Sequence, residues 1–133
     1  HRFRGDVLRS LKAAILNEEV SLGKRDEGLN DTEVEKVIAR EVKKRKESAE
    51  LYRANGRAEL AEPEEQEAAI LQEYLPKQLS EDEIRAMVES VVVDLSATMQ
   101  QMGQVIGAVK TKAGNAADGA LIAKITKETL AKQ

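Results

Sequence analysis

The chain lacks cysteine and tryptophan, and its 133 residues include only three aromatic side chains, Phe3, Tyr52 and Tyr74. Without cysteine there is no disulfide framework and no Cys-ligated zinc or iron–sulfur site. The scarcity of aromatic residues and of period-2 stretches disfavours a β-sheet. The remaining hydrophobic residues are Leu, Ile, Val, Ala and Met in a chain that is 34% charged, which is typical of packed helices. We therefore expect an all-α protein.

Long hydrophobic runs are also missing. No stretch approaches 18 consecutive apolar residues, so the sequence predicts no membrane span. The opening segment HRFRGDVLRS has no apolar region of the kind found in signal peptides. We expect a cytoplasmic protein without a membrane partner. The only histidine, His1, is interpreted as part of a tag or a ragged end rather than of a site.

The net charge of -3 is unevenly distributed along the chain. Residues 1–57 are mildly basic, with 14 Lys and Arg against 11 Asp and Glu. Residues 58–96 are acidic, and residues 97–133 are again basic, with five Lys against two acidic residues. The average therefore conceals local positive surface.

Apolar residues at spacings of three and four predict three helices in the N-terminal part. These helices cover about residues 6–22, 31–55 and 58–74, and the second of them is the long one. Asn30 and Glu33 predict a capping box at its start. Within the third helix, Pro63 predicts either a kink or a restart.

A boundary follows, at the segment YLPKQLSEDE. Pro76 disfavours helical geometry in the residue before it, and Ser80 begins the next helix with a second capping box. A fifth helix with a box-like start and a sixth helix capped by Asp118 complete the chain. The predicted domains are an N-terminal helical domain over residues 1–77 and a small three-helix domain over residues 78–133.

The stretch MGQVIGAVKTKAGNAADG places Gly103 and Gly107 four residues apart within the fifth helix. No strand precedes them, so neither a P-loop nor a dinucleotide-binding loop is predicted. Each glycine costs a helix about 1 kcal/mol relative to alanine. The two glycines form a row with Lys110 beside an apolar stripe of Met99, Met102, Ile106 and Val109. The row predicts either a close helix contact or a bare surface that a backbone or a phosphate approaches.

A second basic stretch, KKRK at residues 43–46, is weaker than it looks, because four consecutive helical residues point in four directions. Four cations of this helix do share one side, namely Lys36, Arg40, Lys43 and Lys44. Glu33 and Glu47 partly neutralise them. This pattern is typical of a solvated helix face. With few aromatic residues for stacking, any RNA contact is expected to go to the phosphate backbone and the shape of the RNA.

Nothing in the sequence indicates catalysis. The serines have no Ser-His-Asp context, and no Gly-Gly-Ser-Ser-type amidase stretch occurs. The many carboxylates lie in helix starts and acidic faces, and no pattern singles out an acid/base pair or a metal site. We therefore predict no catalytic residue, no metal and no cofactor.

Three segments carry a resemblance to a known family: VLRSLKAAILNEEV, LQEYLPKQLSEDEI and MGQVIGAVKTKAGNAADGALI. Together they resemble the YqeY family of small bacterial proteins, and the resemblance extends from Val7 to Leu130. The C-terminal half is also similar to the tail domain of GatB, a subunit of the glutamine-dependent tRNA amidotransferase. The resemblance implies an all-α fold with an N-terminal helical unit and a small C-terminal one.

In the amidotransferase the tail domain helps to hold tRNA, while the chemistry takes place elsewhere. The match to that tail is centred on a set of C-terminal residues: Met102, Gly103, Val105, Gly107, Lys110, Gly114, Ala117 and Asp118. Gln104 stands where family members often carry Lys, which lowers the expected positive charge. Thr111 replaces a bulkier residue or proline.

The leading hypothesis is a non-catalytic module that binds tRNA or an RNA-associated protein, and not DNA. Its predicted binding residues are Lys110, Lys112, Lys124 and Lys127, with Gly103, Gly107 and Gly114 allowing close approach. One alternative is a participant in, or accessory to, glutamine-dependent amidation of aminoacyl-tRNA, a carbon–nitrogen ligase activity that only the shared tail suggests. Another is a protein–protein adaptor whose acidic middle meets a basic partner. The sequence leaves the oligomeric state open.

Overall fold

The computed structural model describes residues 2–133, with side chains from residue 3 onward, so His1 lies outside the described residues. The expected all-α fold is confirmed, since residues 2–133 contain helices and no strand. The helices are α1 (Arg2–Ser21), α2 (Asp31–Ala54), α3 (Ala58–Gln72), α4 (Glu81–Leu95), α5 (Met102–Ala113) and α6 (Gly119–Ala131). Two compact units divide the chain, one ending at Leu75 and the other beginning at Pro76.

The first unit is built on a hairpin of α2 and α3, with α1 packed against both helices. Only residues 55–57 separate α2 from α3, and Gly56 adopts a left-handed φ of 72° in this turn. Arg45 of α2 holds the hairpin together, because its guanidinium contacts Glu41 at 2.9 Å and Glu67 of α3 at 3.1 Å. The buried core of this unit comprises Val7, Leu11, Val37, Ile38, Val42, Ala68 and Leu71.

Pro63 lies within α3, which continues through it. A proline in a helix removes one backbone hydrogen bond to the preceding turn. The neighbouring Ala61 is completely buried, whereas Pro63 itself is exposed. Because α3 is continuous through Pro63, the restart that the sequence allowed there is wrong.

The second unit packs α4, α5 and α6 around one core. Its fully buried side chains are Ile84, Val88, Val105, Val109, Ile122, Ile125 and Thr126. The hydroxyl of Thr126 donates to the Ile122 carbonyl at 2.7 Å, so this buried polar group is paired within α6.

The capping boxes predicted at Asn30 and Ser80 are present. The Glu33 backbone N–H donates to the Asn30 side chain at 2.8 Å, and the Glu83 N–H donates to the Ser80 hydroxyl at 3.1 Å. A similar box at Thr98 opens a short 3₁₀ turn, Met99–Gln101, so α5 itself begins only at Met102.

The apolar stripe predicted for the fifth helix is shifted. The residues that α5 buries are Val105, Val109 and Ala113, while Met102 and Ile106 are only partly buried. Met99 lies in the 3₁₀ turn before the helix and is 44% exposed. Because α5 contacts both α4 and α6, its buried side is broad and is centred on the two valines.

Two valines of α4 provide a matched test of the core. Val88 is fully buried and Val93 is 76% exposed, so Val88→Ala and Val93→Ala remove the same atoms from opposite environments. We expect Val88→Ala to lower the free energy of unfolding by about 2 kcal/mol or more, through lost burial and a cavity. Val93→Ala should change it by less than about 0.5 kcal/mol. Urea denaturation followed by circular dichroism measures both, and equal effects would contradict the assigned core.

The capping box at Ser80 predicts a pH dependence. The backbone N–H of Ser80, which donates to the Glu83 carboxylate at 3.0 Å, and the Ser80 hydroxyl hold the pKa of Glu83 below its ordinary value. A lowered folded-state pKa stabilises the fold above the ordinary carboxyl value of about 4.3, and this contribution disappears as the pH falls through the folded-state value. We expect Glu83→Gln to be less stable than the unsubstituted protein at pH 7 and equal to it near pH 3. Ser80→Ala should reduce the same pH dependence in thermal unfolding.

Candidate functional site

Gly103 and Gly107 lie on the exposed side of α5. A Cβ atom placed on either residue meets no atom within 4 Å. The close helix contact that was one interpretation of this pair is therefore wrong for the described residues. The two glycines instead leave a strip of helix backbone bare, and no internal packing compensates for their cost to the helix.

The helix period explains why this strip adjoins Lys110. Residues four and seven positions apart fall on the same side of an α-helix, so Gly103, Gly107 and Lys110 form one row. The Thr111 hydroxyl donates to the Gly107 carbonyl at 3.0 Å, so this carbonyl oxygen of the exposed backbone has a side-chain hydrogen-bond donor. We call Gly103 and Gly107 the glycine row.

Gly114 has a different, structural role. It ends α5 with a positive φ of 55°, a conformation that favours glycine. The 3₁₀ turn that follows, Gly114–Ala116, is fixed to the segment before α4. The Leu79 N–H donates to the Ala116 carbonyl at 2.8 Å, and the Gln78 amide donates to the Asn115 carbonyl at 3.1 Å.

Lys110 extends from α5 to the first turn of α6. A Cβ on Gly119 would lie 2.9 Å from Cε and 3.2 Å from Nζ of Lys110. Gly119 therefore leaves room for this side chain, next to the Asp118 cap of α6. Sequence reasoning missed this contact. Gly119 is the first residue of α6 and has an ordinary φ, so its backbone does not require glycine, and this could have indicated a close approach by another side chain.

Lys124 and Lys127 lie three residues apart on the exposed side of α6, near the exposed Ala120 and Ala131. Lys110 reaches the same helix at its beginning. We call these three lysines, Lys110, Lys124 and Lys127, the α6 lysine surface.

Lys112 does not join this surface. Two residues along an α-helix correspond to a rotation of about 200°, so Lys112 projects from α5 about 160° away from Lys110. The structure therefore places Lys124 and Lys127 on one side of α6 and Lys110 at the first turn of the same helix, and it separates Lys112 from Lys110. The glycine row adjoins Lys110, which is the only lysine of α5 in the α6 lysine surface.

Most exposed acids of the second unit lie on one helix. The exposed acids Glu81, Asp82, Glu83, Glu89 and Asp94 lie on α4. The two acidic side chains near the lysines are already engaged, since Asp118 caps α6 and Glu128 pairs with Arg85 of α4 at 3.9 Å. Within residues 3–133, Lys110, Lys124 and Lys127 form no ion pair.

Arg85 was a second residue that sequence reasoning missed, because its partner Glu128 lies 43 positions away in the chain.

The cations of α2 are arranged differently. Arg40 pairs with Glu18 of α1, and Lys44 lies 3.8 Å from Glu41. Lys24, just before α2, donates to Glu33 at 2.7 Å. These contacts pair several cations of this region with carboxylates, which is typical of a solvated helix face.

The part of the chain that the structure describes holds no group of three or more His, Cys, Asp or Glu side chains able to bind a metal ion. It also has no buried side-chain polar atom without a hydrogen-bond partner. None of its helices is long and apolar enough to cross a membrane. The chemistry that the candidate site itself offers is attraction of an anionic surface to exposed ammonium groups beside bare helix backbone.

The glycines give a stability test. Gly103→Ala and Gly107→Ala add a methyl group in open space within a helix, so each should raise the free energy of unfolding by about 0.5–1 kcal/mol. Gly114→Ala places a side chain in the left-handed region and should lower it by about 1 kcal/mol or more. Thermal and urea unfolding of the three single variants measure these effects, and destabilisation by Gly103→Ala would restore the helix-contact interpretation.

Comparison with known proteins addresses the whole chain. A family model described as Yqey-like protein matches residues 1–130. A search of curated proteins gives no match. The family match spans the α1 segment, the boundary before α4 and the stretch that contains the glycine row, which are the three segments that carried the resemblance in the sequence. The chain belongs to the YqeY family.

Proposed function

We propose that this protein is a non-catalytic module that binds tRNA or another RNA through the α6 lysine surface. The observation that carries the proposal is the distribution of charge in the second unit. Three ammonium groups are exposed without an ion pair, while the two nearby carboxylates are engaged in a helix cap and in a pair with Arg85. The positive charge is thus left available to an anionic partner.

Phosphate groups suit this surface physically. A lysine that neutralises a phosphate releases a condensed counterion, and this release drives association at low salt. The overall charge of -3 does not oppose such binding, because most exposed acids of the second unit lie on α4, and Glu128 of α6 pairs with Arg85. Local potential, rather than net charge, governs the encounter.

The glycine row supports the same proposal. Without Cβ atoms at Gly103 and Gly107, a ligand backbone can approach the α5 helix closely beside Lys110. The presence of two helix-destabilising glycines at exposed positions is consistent with a role at a contact surface. The resemblance of this region to the tRNA-holding tail of GatB points in the same direction.

Salt-dependent binding of tRNA tests the proposal. With three phosphate contacts, a plot of log affinity against log salt should have a slope of about -2 to -3. The triple variant Lys110→Glu, Lys124→Glu, Lys127→Glu should lose most of the affinity and flatten the slope by about 1 per lysine. Fluorescence anisotropy with labelled tRNA, starting at low salt, measures both quantities.

A matched control changes the same charge in the first unit. Lys12, Lys36 and Lys46 are exposed lysines outside the candidate surface, so the triple variant Lys12→Glu, Lys36→Glu, Lys46→Glu alters net charge equally. We expect this control to keep most of the tRNA affinity. If tRNA does not bind at low salt, or if both triple variants lose affinity equally, the α6 lysine surface is not the binding site.

A further inference from the structure

We propose that the ligand of the α6 lysine surface is double-helical RNA, held by its sugar–phosphate backbone without reading of the bases. This inference rests on the proposed function and specifies the class of RNA. It follows from which side chains the second unit offers and from how rigidly they are held.

The second unit has no platform for unstacked bases. Residues 76–133 contain no Phe, Tyr or Trp. Proteins that hold single-stranded nucleic acid place successive bases on aromatic side chains or on free guanidinium planes. With none of these aromatics, a single strand would gain only phosphate contacts, and its bases would remain without partners.

Arginine does not fill this role either. Arg85 is the only arginine of the second unit, and it pairs with Asp82 at 3.3 Å and Glu128 at 3.9 Å. The free cations are all lysines, which act as compact point charges rather than as the planar forks of arginine. The surface therefore recognises phosphates, and we expect its affinity to be independent of base sequence.

The lysines are held by a rigid element. Ile122 and Ile125 bury α6 in the core with exposures of 0% and 1%, which fixes the side that carries Lys124 and Lys127. From Gly119, where Lys110 arrives, to Lys127 the helix rises about 12 Å. Lysines attached at fixed positions on a helix match a ligand whose phosphates are also fixed. A duplex has this property, and a flexible single strand must lose conformational freedom to acquire it.

The form of the duplex follows from the surface between the lysines. The exposed Ala120 and Ala131 leave small side chains on either side of the two lysines, and the neighbouring Glu128 pairs with Arg85. Such a side suits the wide, shallow minor groove of A-form RNA, which proteins recognise through its shape, its phosphates and its 2′-hydroxyls. Sequence reading in the DNA major groove instead requires several side chains that match base edges, and this side offers only Lys124, Lys127 and Glu128, which pairs with Arg85.

Competition binding with the full chain tests the inference. The probes are an RNA duplex of about 16 base pairs, one of its strands alone, and a DNA duplex of the same sequence. We expect the RNA duplex to bind at least tenfold more tightly than either competitor, and a shuffled RNA duplex to bind within about twofold. Lys124→Glu with Lys127→Glu should lower affinity for the RNA duplex about tenfold or more, whereas Lys12→Glu with Lys36→Glu should not.

The outcomes separate this inference from the proposed function. Single-stranded RNA or duplex DNA bound as tightly as duplex RNA would overturn the inference, and RNA binding itself would stand. A strong preference among RNA duplexes of different sequence would also overturn it. Failure of every RNA to bind would remove the proposed function as well. Circular dichroism of the lysine variants confirms that they remain folded, since all the substituted side chains are exposed.

Discussion

Burial of Val105 and Val109 against the neighbouring helices is the constraint on which the candidate site depends. Both valines are completely buried, and α5 contacts α4 and α6. This fixes the rotation of α5, so that Gly103 and Gly107 face outward and Lys110 reaches the first turn of α6. A rotation that buried the glycines would have exposed the valines, with a loss of hydrophobic burial that two glycines, which have no side chain, could not replace.

Electrostatics then decides which cations remain available. In the second unit, Arg85 engages Glu128, and Asp118 caps α6, so the lysines of the α6 lysine surface have no acidic partner among residues 3–133. In the first unit, Arg40 and Arg45 face carboxylates instead. Exposed ion pairs contribute little stability, but they do determine where positive charge is free. Two basic stretches that look comparable in the sequence therefore differ in what they offer to a partner.

The glycines show how one residue type serves several physical roles. Gly114 adopts a positive φ and ends a helix, whereas Gly119 leaves room for Lys110. The glycine row serves neither purpose, because its φ values are ordinary and nothing lies near its missing Cβ atoms. The glycine row is therefore open for the contact that the proposed function assigns to it.

The sequence by itself determined the helices, the caps at Asn30 and Ser80, the end of α5 at Gly114 and the family. These features depend on interactions within about four residues and on the helical period, both of which can be read along the chain. Only the tertiary structure decided that Val105 belongs to the buried side, that Lys112 is separated from Lys110, and that Lys110 meets α6. Those outcomes depend on which helices pack together and at what rotation, because contacts between residues distant in the chain set the buried side.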